Sequence, residues 1–419
     1  MKRTIRGRKR VTLVFAALIL VVGVIAGGTA AKTSGTHAAK SQQVTTITLA
    51  HWNSSAVELA SLRKTLAAFE KGHPAIKVKE ISLDPYPEGM LARFAARKPP
   101  DIFYVDSNPF PDWQKQGVLE PLNARIVKSH FALKPFYGRL LAAFRDKKGT
   151  IYGFPKDWSP LAMEVNPAML RAAGVTTIPT TWSQLATALQ KLKSAGQPPA
   201  CLDISLDRML AFWYQNGGGF LNATKTAAIV DSAANNGAVT RYFSWLKSGL
   251  AQTKQQLGAG WCGEALGKKL ASIIFEGNWV YSYMKETFPQ VGFAVRPMVK
   301  NARTGNLGFT VSYSIAKDSK HKSQAFTLLT YLTGPKGMRV WTKNVGYLPS
   351  RKDVTPPPGR ATFLREAPWA RAWQFAPGFS KVTDTANSEL QAAFEGKETV
   401  AKALDTIQDA ATKALRRGR

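Results

Sequence analysis

Apolar and polar positions alternate from Val44 to Ala50, with Ile47 and Leu49 on one face, which predicts a strand. Leu59, Leu62, Leu66 and Phe69 then recur at helical spacing, and Gly72 and Pro74 end that helix. Alternation returns over Ile76 to Ile81. A compact apolar strand, Asp101 to Val105, follows Pro99-Pro100. The order β-α-β-(α)-β predicts an α/β layer with mostly parallel strands.

The pattern changes at "IYGFPKDWSPLAMEV", Ile151 to Val165, where a strand-like piece meets Pro155 and Pro160 and runs on extended. It reads as a crossing between two lobes. Residues 166–280 are rich in helix, Trp182 to Lys193 and Met209 to Asn216 most clearly. Val291 to Met298 is a second extended crossing, ending at Pro297. A strand over Leu307 to Ile315 and a helix over Ser323 to Leu332 come next. Thr399 to Leu415 is amphipathic, with Val400, Ala403, Leu404, Ile407, Ala411 and Leu415 on one face. Residues 44–157 with 294–333 are expected to form lobe I, and 158–293 with 334–419 lobe II. Two crossings make a hinge, and a cleft between lobes is a favoured place for a small ligand.

Within "ASIIFEGNWVYSY", a strand over Ser272 to Phe275 stops at Glu276-Gly277-Asn278 and resumes with Trp279, Tyr281 and Tyr283. Comparable mixtures of ring, amide and carboxylate recur. They are Trp52, Asn53 and Ser54; Asp106 and Ser107; Asp157 and Trp158; Trp213, Tyr214 and Asn216; and Trp261. In open α/β sheets ligands sit at the carboxyl ends of strands, and several of these clusters fall there. A sugar needs this mixture. Its hydroxyls take carboxylates and side-chain amides, and its C–H faces take flat rings. On this reading Gly277 turns the chain, Asn278 gives a donor and an acceptor, and Trp279 lays a ring along the cleft.

Net charge is +30, but no basic run is interleaved with aromatics, so a solvated basic surface explains it better than nucleic-acid binding. Lys2, Arg3, Arg6, Arg8, Lys9 and Arg10 precede an apolar run from Val11 to Ile25, and small residues follow. This predicts a signal peptide over 1–31, cut near Ala30 or Ala38, and a flexible leader over 32–43. An uncleaved anchor is the alternative. Export to an oxidising compartment predicts a disulfide between Cys201 and Cys262, the only two cysteines.

Enzyme motifs are weak. "GEALGKK" lacks the spacing and the hydroxyl of a P-loop, and HExxH and GxSxG do not occur. The sequence points to no cofactor and no metal. Asp106 with Asp157 or Glu276 could pair for glycoside hydrolysis, but holding hydroxyls needs the same residues.

The ordered segments "HWNSS", "PPDIFYVDS", "IYGFPKDWSPLAMEV", "FEGNW", "GFAVRPM", "YLTGPKGMRVWT" and "LPSRKDV" resemble the extracellular solute-binding proteins of bacterial ABC importers. The resemblance is closest to their carbohydrate-binding, maltose-binding-protein-like group. It implies a two-lobe, type II-like periplasmic-binding-protein fold, a sugar in the cleft and delivery to a permease by an exported monomer that does no chemistry. By position it also implies sugar contacts at Trp52, Asn53, Asp106, Asp157, Trp158, Trp213, Tyr214, Trp279, Tyr313 and Phe379. The chain lacks the lipid-anchoring cysteine of many Gram-positive members, and its basicity is unusual for the group. The alternative ligand is a phosphorylated polyol, sugar acid or other anion, which would require cations converging on the cleft.

Overall fold

A computed structural model describes residues 43–53 and 55–418. The expected signal peptide, the leader up to residue 42, and Ser54 lie outside these residues. Among the described residues no helix is long and apolar enough to cross a membrane.

The described residues form two sheets. The strands are β1 (Thr45–His51), β2 (Ile76–Ser82), β3 (Ile102–Asp106), β4 (Gly153–Pro160), β5 (Ala162–Val165), β6 (Ala200–Cys201), β7 (Ala251–Gln252), β8 (Ile273–Glu276), β9 (Ala294–Arg296), β10 (Asn306–Ile315), β11 (Leu348–Pro349) and β12 (Ala370–Ala372). The first sheet runs β11-β4-β10-β3-β1-β2, with β12 beside β10, and the second runs β7-β6-β8-β5-β9. The chain passes from the first sheet to the second through Leu161 alone, and returns between β9 and β10. The first passage falls within the predicted crossing, whereas the predicted second crossing, Val291 to Met298, holds β9 of the second sheet and the return follows it over residues 297–305.

The N-terminal strands are parallel as expected, and the sheets as wholes are mixed. β1 pairs parallel with β2 and β3, but β10 lies antiparallel between β3 and β4. The reason is topological. β10 re-enters the first sheet from the other lobe, so no crossover helix forces it parallel. The stretch after residue 334 does not go to one lobe as a block. Met338, Trp341 and Val345 join the core of the first sheet, whereas Phe379, Leu390, Leu404 and Ile407 join that of the second.

Local sequence explains the elements that matter for the cleft. Ser55 caps the helix Ala56–Gly72 by accepting from the Glu58 N–H at 3.1 Å, worth about 1 kcal/mol. Leu62, Leu66 and Phe69 of that helix pack on the first sheet. In β4, Val311 pairs with Asp157 but Ser312 pairs with Pro155, so Lys156 is the extra residue of a bulge. Pro155 has no N–H to give a regular ladder, which suits it to such a site. In an unbroken strand, neighbours point to opposite faces. Here Lys156 and Asp157 reach each other, with Nζ 2.5 Å from Oδ2.

Cys201 and Cys262 form the expected disulfide, 61 residues apart. Reduction is expected to cost about 2–5 kcal/mol in denaturant titration, because it frees a long loop. A reduced protein as stable as the oxidised one would show that the bond constrains little.

Candidate functional site

At the carboxyl ends of β1, β3 and β8 lies a cleft of about 240 Å³. Its first wall carries Trp52, Glu58, Asp106, Lys156 and Asp157, and its second carries Asn278 and Trp279. A larger groove of about 480 Å³ beside Lys115, Lys381, Lys413 and Arg417 has no aromatic ring in its lining.

Trp279 opens the helix Trp279–Thr287 and stays half-buried. Its Nε1 donates to Glu276 Oε2 at 3.0 Å. The same oxygen accepts from Arg208 Nη2 at 2.9 Å, and the Arg208 guanidinium stands 5.5 Å from the indole centroid. Phe309 meets the ring edge-on at 5.6 Å. Gly277 serves by leaving room: a Cβ there would come within 2.2 Å of the indole. The glycine expected to provide a turn is what allows the Trp279 ring to fold back over the chain.

Across the cleft, Asp157 Oδ2 accepts from Lys156 Nζ and, at 2.9 Å, from Trp341 Nε1. Lys156 is buried among the rings of Trp341, Tyr104 and Tyr347, 4.3, 4.8 and 5.6 Å from their centroids. Glu58 Oε1 lies 4.0 Å from its Nζ. The cations Lys156 and Arg208 near the cleft are thus engaged by acids, Lys156 by Asp157 and Glu58, and Arg208 by Asp207 and Glu276.

Asp106 is different. It accepts the Asn108 N–H at 2.9 Å and forms no salt bridge among the described residues. Burial pushes its carboxyl up to about 7; the Asn108 N–H opposes the rise, while Asp207 and Asp157 add to it. Burial likewise raises Glu276, against the pull of Arg208.

The cleft gathers Trp52, Asp106, Asp157, Trp158, Asn278 and Trp279 of the expected residues. Trp52 is braced edge-on by Tyr86 and Tyr104, each at 4.9 Å. Trp158 donates to Pro349 O at 3.1 Å. Asn278 is committed to the hinge, since its N–H donates to Ser159 Oγ and its Nδ2 to Trp158 O.

Other expected contacts lie elsewhere. Trp213 is fully buried and Tyr214 nearly so, within the helix Leu206–Gln215, whose every described residue from Met209 on is buried. Asn216 is occupied by Ala234 O and by the Asn301 amide. Ser107 is buried and donates to Trp373 O. Asn53 is exposed and donates to Ser82 Oγ at 3.1 Å. Tyr313 backs the cleft wall, 5.2 Å from Tyr104, and Phe379 lies in the second core. Trp261 lines a neighbouring hollow instead.

Sequence reasoning missed Glu58, Phe309, Thr310, Val311 and Tyr347, which also line the cleft. Glu58 carried a readable signal. It shares a helical face with Leu62, Leu66 and Phe69, and a carboxylate on an apolar stripe is a departure to be explained. Trp341, which steers Asp157, gave none.

The sequence profile of the family described as bacterial extracellular solute-binding protein matches residues 53–339. The chain is 20% identical over 326 residues to a multiple sugar-binding protein of Streptococcus mutans, covering 70% of this chain and 72% of that one. Its fold is similar to that of an ABC substrate-binding protein of Listeria monocytogenes in complex with cycloalternan, with a TM-score of 0.82, 21% identity and coverage of 89% and 100% of the two chains. It is similar also to the GacH receptor of Streptomyces glaucescens, solved unliganded and with acarbose, with a TM-score of 0.80, 19% identity and coverage of 90% and 100%. With its two sheets, a backbone that passes repeatedly between them and a profile match over most of its length, the chain belongs to the bacterial extracellular solute-binding proteins.

Proposed function

We propose that this protein is the exported substrate-binding component of an ABC importer, holding a neutral sugar or oligosaccharide between its lobes and delivering it to a membrane permease. One observation carries the ligand class: the cleft offers half-exposed indole faces and a carboxylate without a countercation, while its nearby cations are already paired with acids. Ring faces suit C–H surfaces, and Asp106 suits a pair of hydroxyl donors. An anionic solute would meet Asp106, Asp157 and Glu58, with no free cation lining the cleft among the described residues. The relatives described for multiple sugars, cycloalternan and acarbose support the same class.

The binding cycle needs no chemistry. A ligand touching both walls binds the closed arrangement more tightly and shifts the population toward it, which is the form a permease would recognise. A thermal-shift screen of mono-, di- and trisaccharides, glycerol phosphodiesters and sugar acids tests the reading. Stabilisation by saccharides alone is expected, and stabilisation by the anions alone would overturn it.

Asp106 makes the reading pH-dependent. Ionised, it accepts from two hydroxyls, so sugar affinity should rise as pH passes through about 7. Stability runs the other way. The native carboxyl holds its proton up to about 7 whereas an unfolded one releases it near about 4, so stability falls with rising pH across that window. Asp106→Asn should bind sugar weakly at every pH and be more stable than the parent at pH ~8, by about 1–2 kcal/mol in urea titrations. A parent whose affinity and stability are both flat between pH ~5 and ~8 would remove Asp106 from this role.

A further inference from the structure

The larger groove, of about 480 Å³, shares no lining residue with the sugar cleft. We propose that it is a separate binding site, for a small polyanion that carries two or more phosphate or carboxylate groups. Its occupancy is independent of the sugar reading above. Three helices build it. Lys115 ends the helix Phe110–Lys115, whose Phe110 and Trp113 lie in the first core. Lys381 stands on the helix Phe379–Phe394, and Lys413 and Arg417 on the helix Val400–Gly418. Those two helices pack in the second core through Phe379, Leu390, Leu404 and Ile407. Exposed cations anchored in both cores therefore line one concavity.

The shortage of acids sets these cations apart. In the sugar cleft Lys156 and Arg208 are held by carboxylates, but Lys115, Lys381, Lys413 and Arg417 form no ion pair among the described residues. Lys115 Nζ donates to a carbonyl, Arg417 O, at 2.9 Å, which keeps its charge uncompensated and leaves its other N–H groups to a ligand. Asp384 and Asp409, the nearest acids along the two longer helices, lie outside the lining. Asp112, the acid within it, is already engaged. Its Oδ1 accepts the Gly378 N–H, and its Oδ2 accepts the Ser380 hydroxyl at 2.7 Å and the Ser380 N–H at 3.4 Å. It thus sits at the N-terminal end of the helix Phe379–Phe394, where the helix dipole offsets its charge.

Charge and size together select the ligand. Like charges around one concavity repel one another, and a multivalent anion relieves that repulsion for all of them at once. The Arg417 guanidinium offers a fork for two oxygens, and the lysines offer point charges. The volume falls within the range of small-molecule sites and exceeds what a single phosphate fills. An uncharged sugar would find no ring there to stack on.

The test is calorimetry at low salt with tripolyphosphate, citrate and inorganic phosphate. Tripolyphosphate or citrate should bind, the tighter of the two naming the charged group, and inorganic phosphate should bind at least about tenfold more weakly. Lys381→Ala combined with Lys413→Ala should weaken the polyanion about tenfold or more. Arg417→Lys, which keeps the charge but loses the fork, should weaken it about threefold. Lys336→Ala combined with Lys343→Ala removes two exposed lysines from the helix Pro335–Val345, away from the groove, and should leave affinity within about twofold. Equal weakening by the two lysine pairs, in proteins folded by circular dichroism, would reveal only a general attraction to a basic surface and overturn the site. So would a parent that binds neither tripolyphosphate nor citrate. Saccharide affinity should be parental in the Lys381→Ala, Lys413→Ala protein, and its loss there would place the groove within the sugar site and overturn their separation.

Discussion

Trp279→Ala is expected to weaken sugar binding about a hundredfold, roughly 2–4 kcal/mol, because the ring has the attributes of a binding hot spot. It is half-buried at the seam and packs against both cores. Its Nε1 is fixed by Glu276 and its face lies near Arg208 and Phe309, so it is placed before any ligand arrives. Alanine removes the platform and opens the cleft to water. Trp279→Phe keeps an apolar face but loses the bond to Glu276, and should fall between the two. Calorimetry with the best saccharide from the screen checks the series. Alanine binding with parental affinity would mean that the ring only fills the seam.

Lys156→Met is expected to cost stability rather than specificity alone, about 3–5 kcal/mol at pH ~8, the range found when one partner of a buried ion pair is removed. The lysine side chain is 3% exposed, and its ammonium serves both Asp157 and Glu58. Without it, two carboxylates remain in a site walled by Tyr104, Trp341 and Tyr347. The native form of the variant would then retain protons that the unfolded chain gives up. Its stability should therefore be closer to that of the parent at pH ~5 and be lost as pH rises. Asp157→Asn in the same chain should restore part of the loss. Urea titrations at the two pH values decide the matter, and a deficit under about 1 kcal/mol at both would show that water reaches the pair freely.

Much of the architecture was legible in the sequence. Period-two and period-3.6 patterns located β1, β3, β10 and the helix Ala56–Gly72, and prolines within an extended run located the first crossing. The parallel pairing of β1, β2 and β3 was legible, whereas the direction of β10 was not, because it depends on which lobe the strand arrives from. The strand-end cluster around Trp279 was legible because glycine, amide and ring stood together at the end of an apolar run. The cluster at Trp213 and Tyr214 resembled it in composition and was misleading. Met209 to Tyr214 is apolar at every position, and a helix apolar all round belongs in a core. The pairs that aim the cleft, Lys156 with Asp157 and Arg208 with Glu276, join residues whose proximity only the fold creates, or, for Lys156, only the bulge.

That bulge has a bearing on how related chains are interpreted. Shortening β4 by the one inserted residue would restore strict alternation with both flanking pairs kept, and what it would remove is Lys156, the cation between Asp157 and Glu58. A relative aligned with a gap at Lys156 would keep the fold while leaving the two acids of its cargo chamber without their shared lysine. Cargo assignments transferred across such a gap should be withheld, however high the similarity on either side.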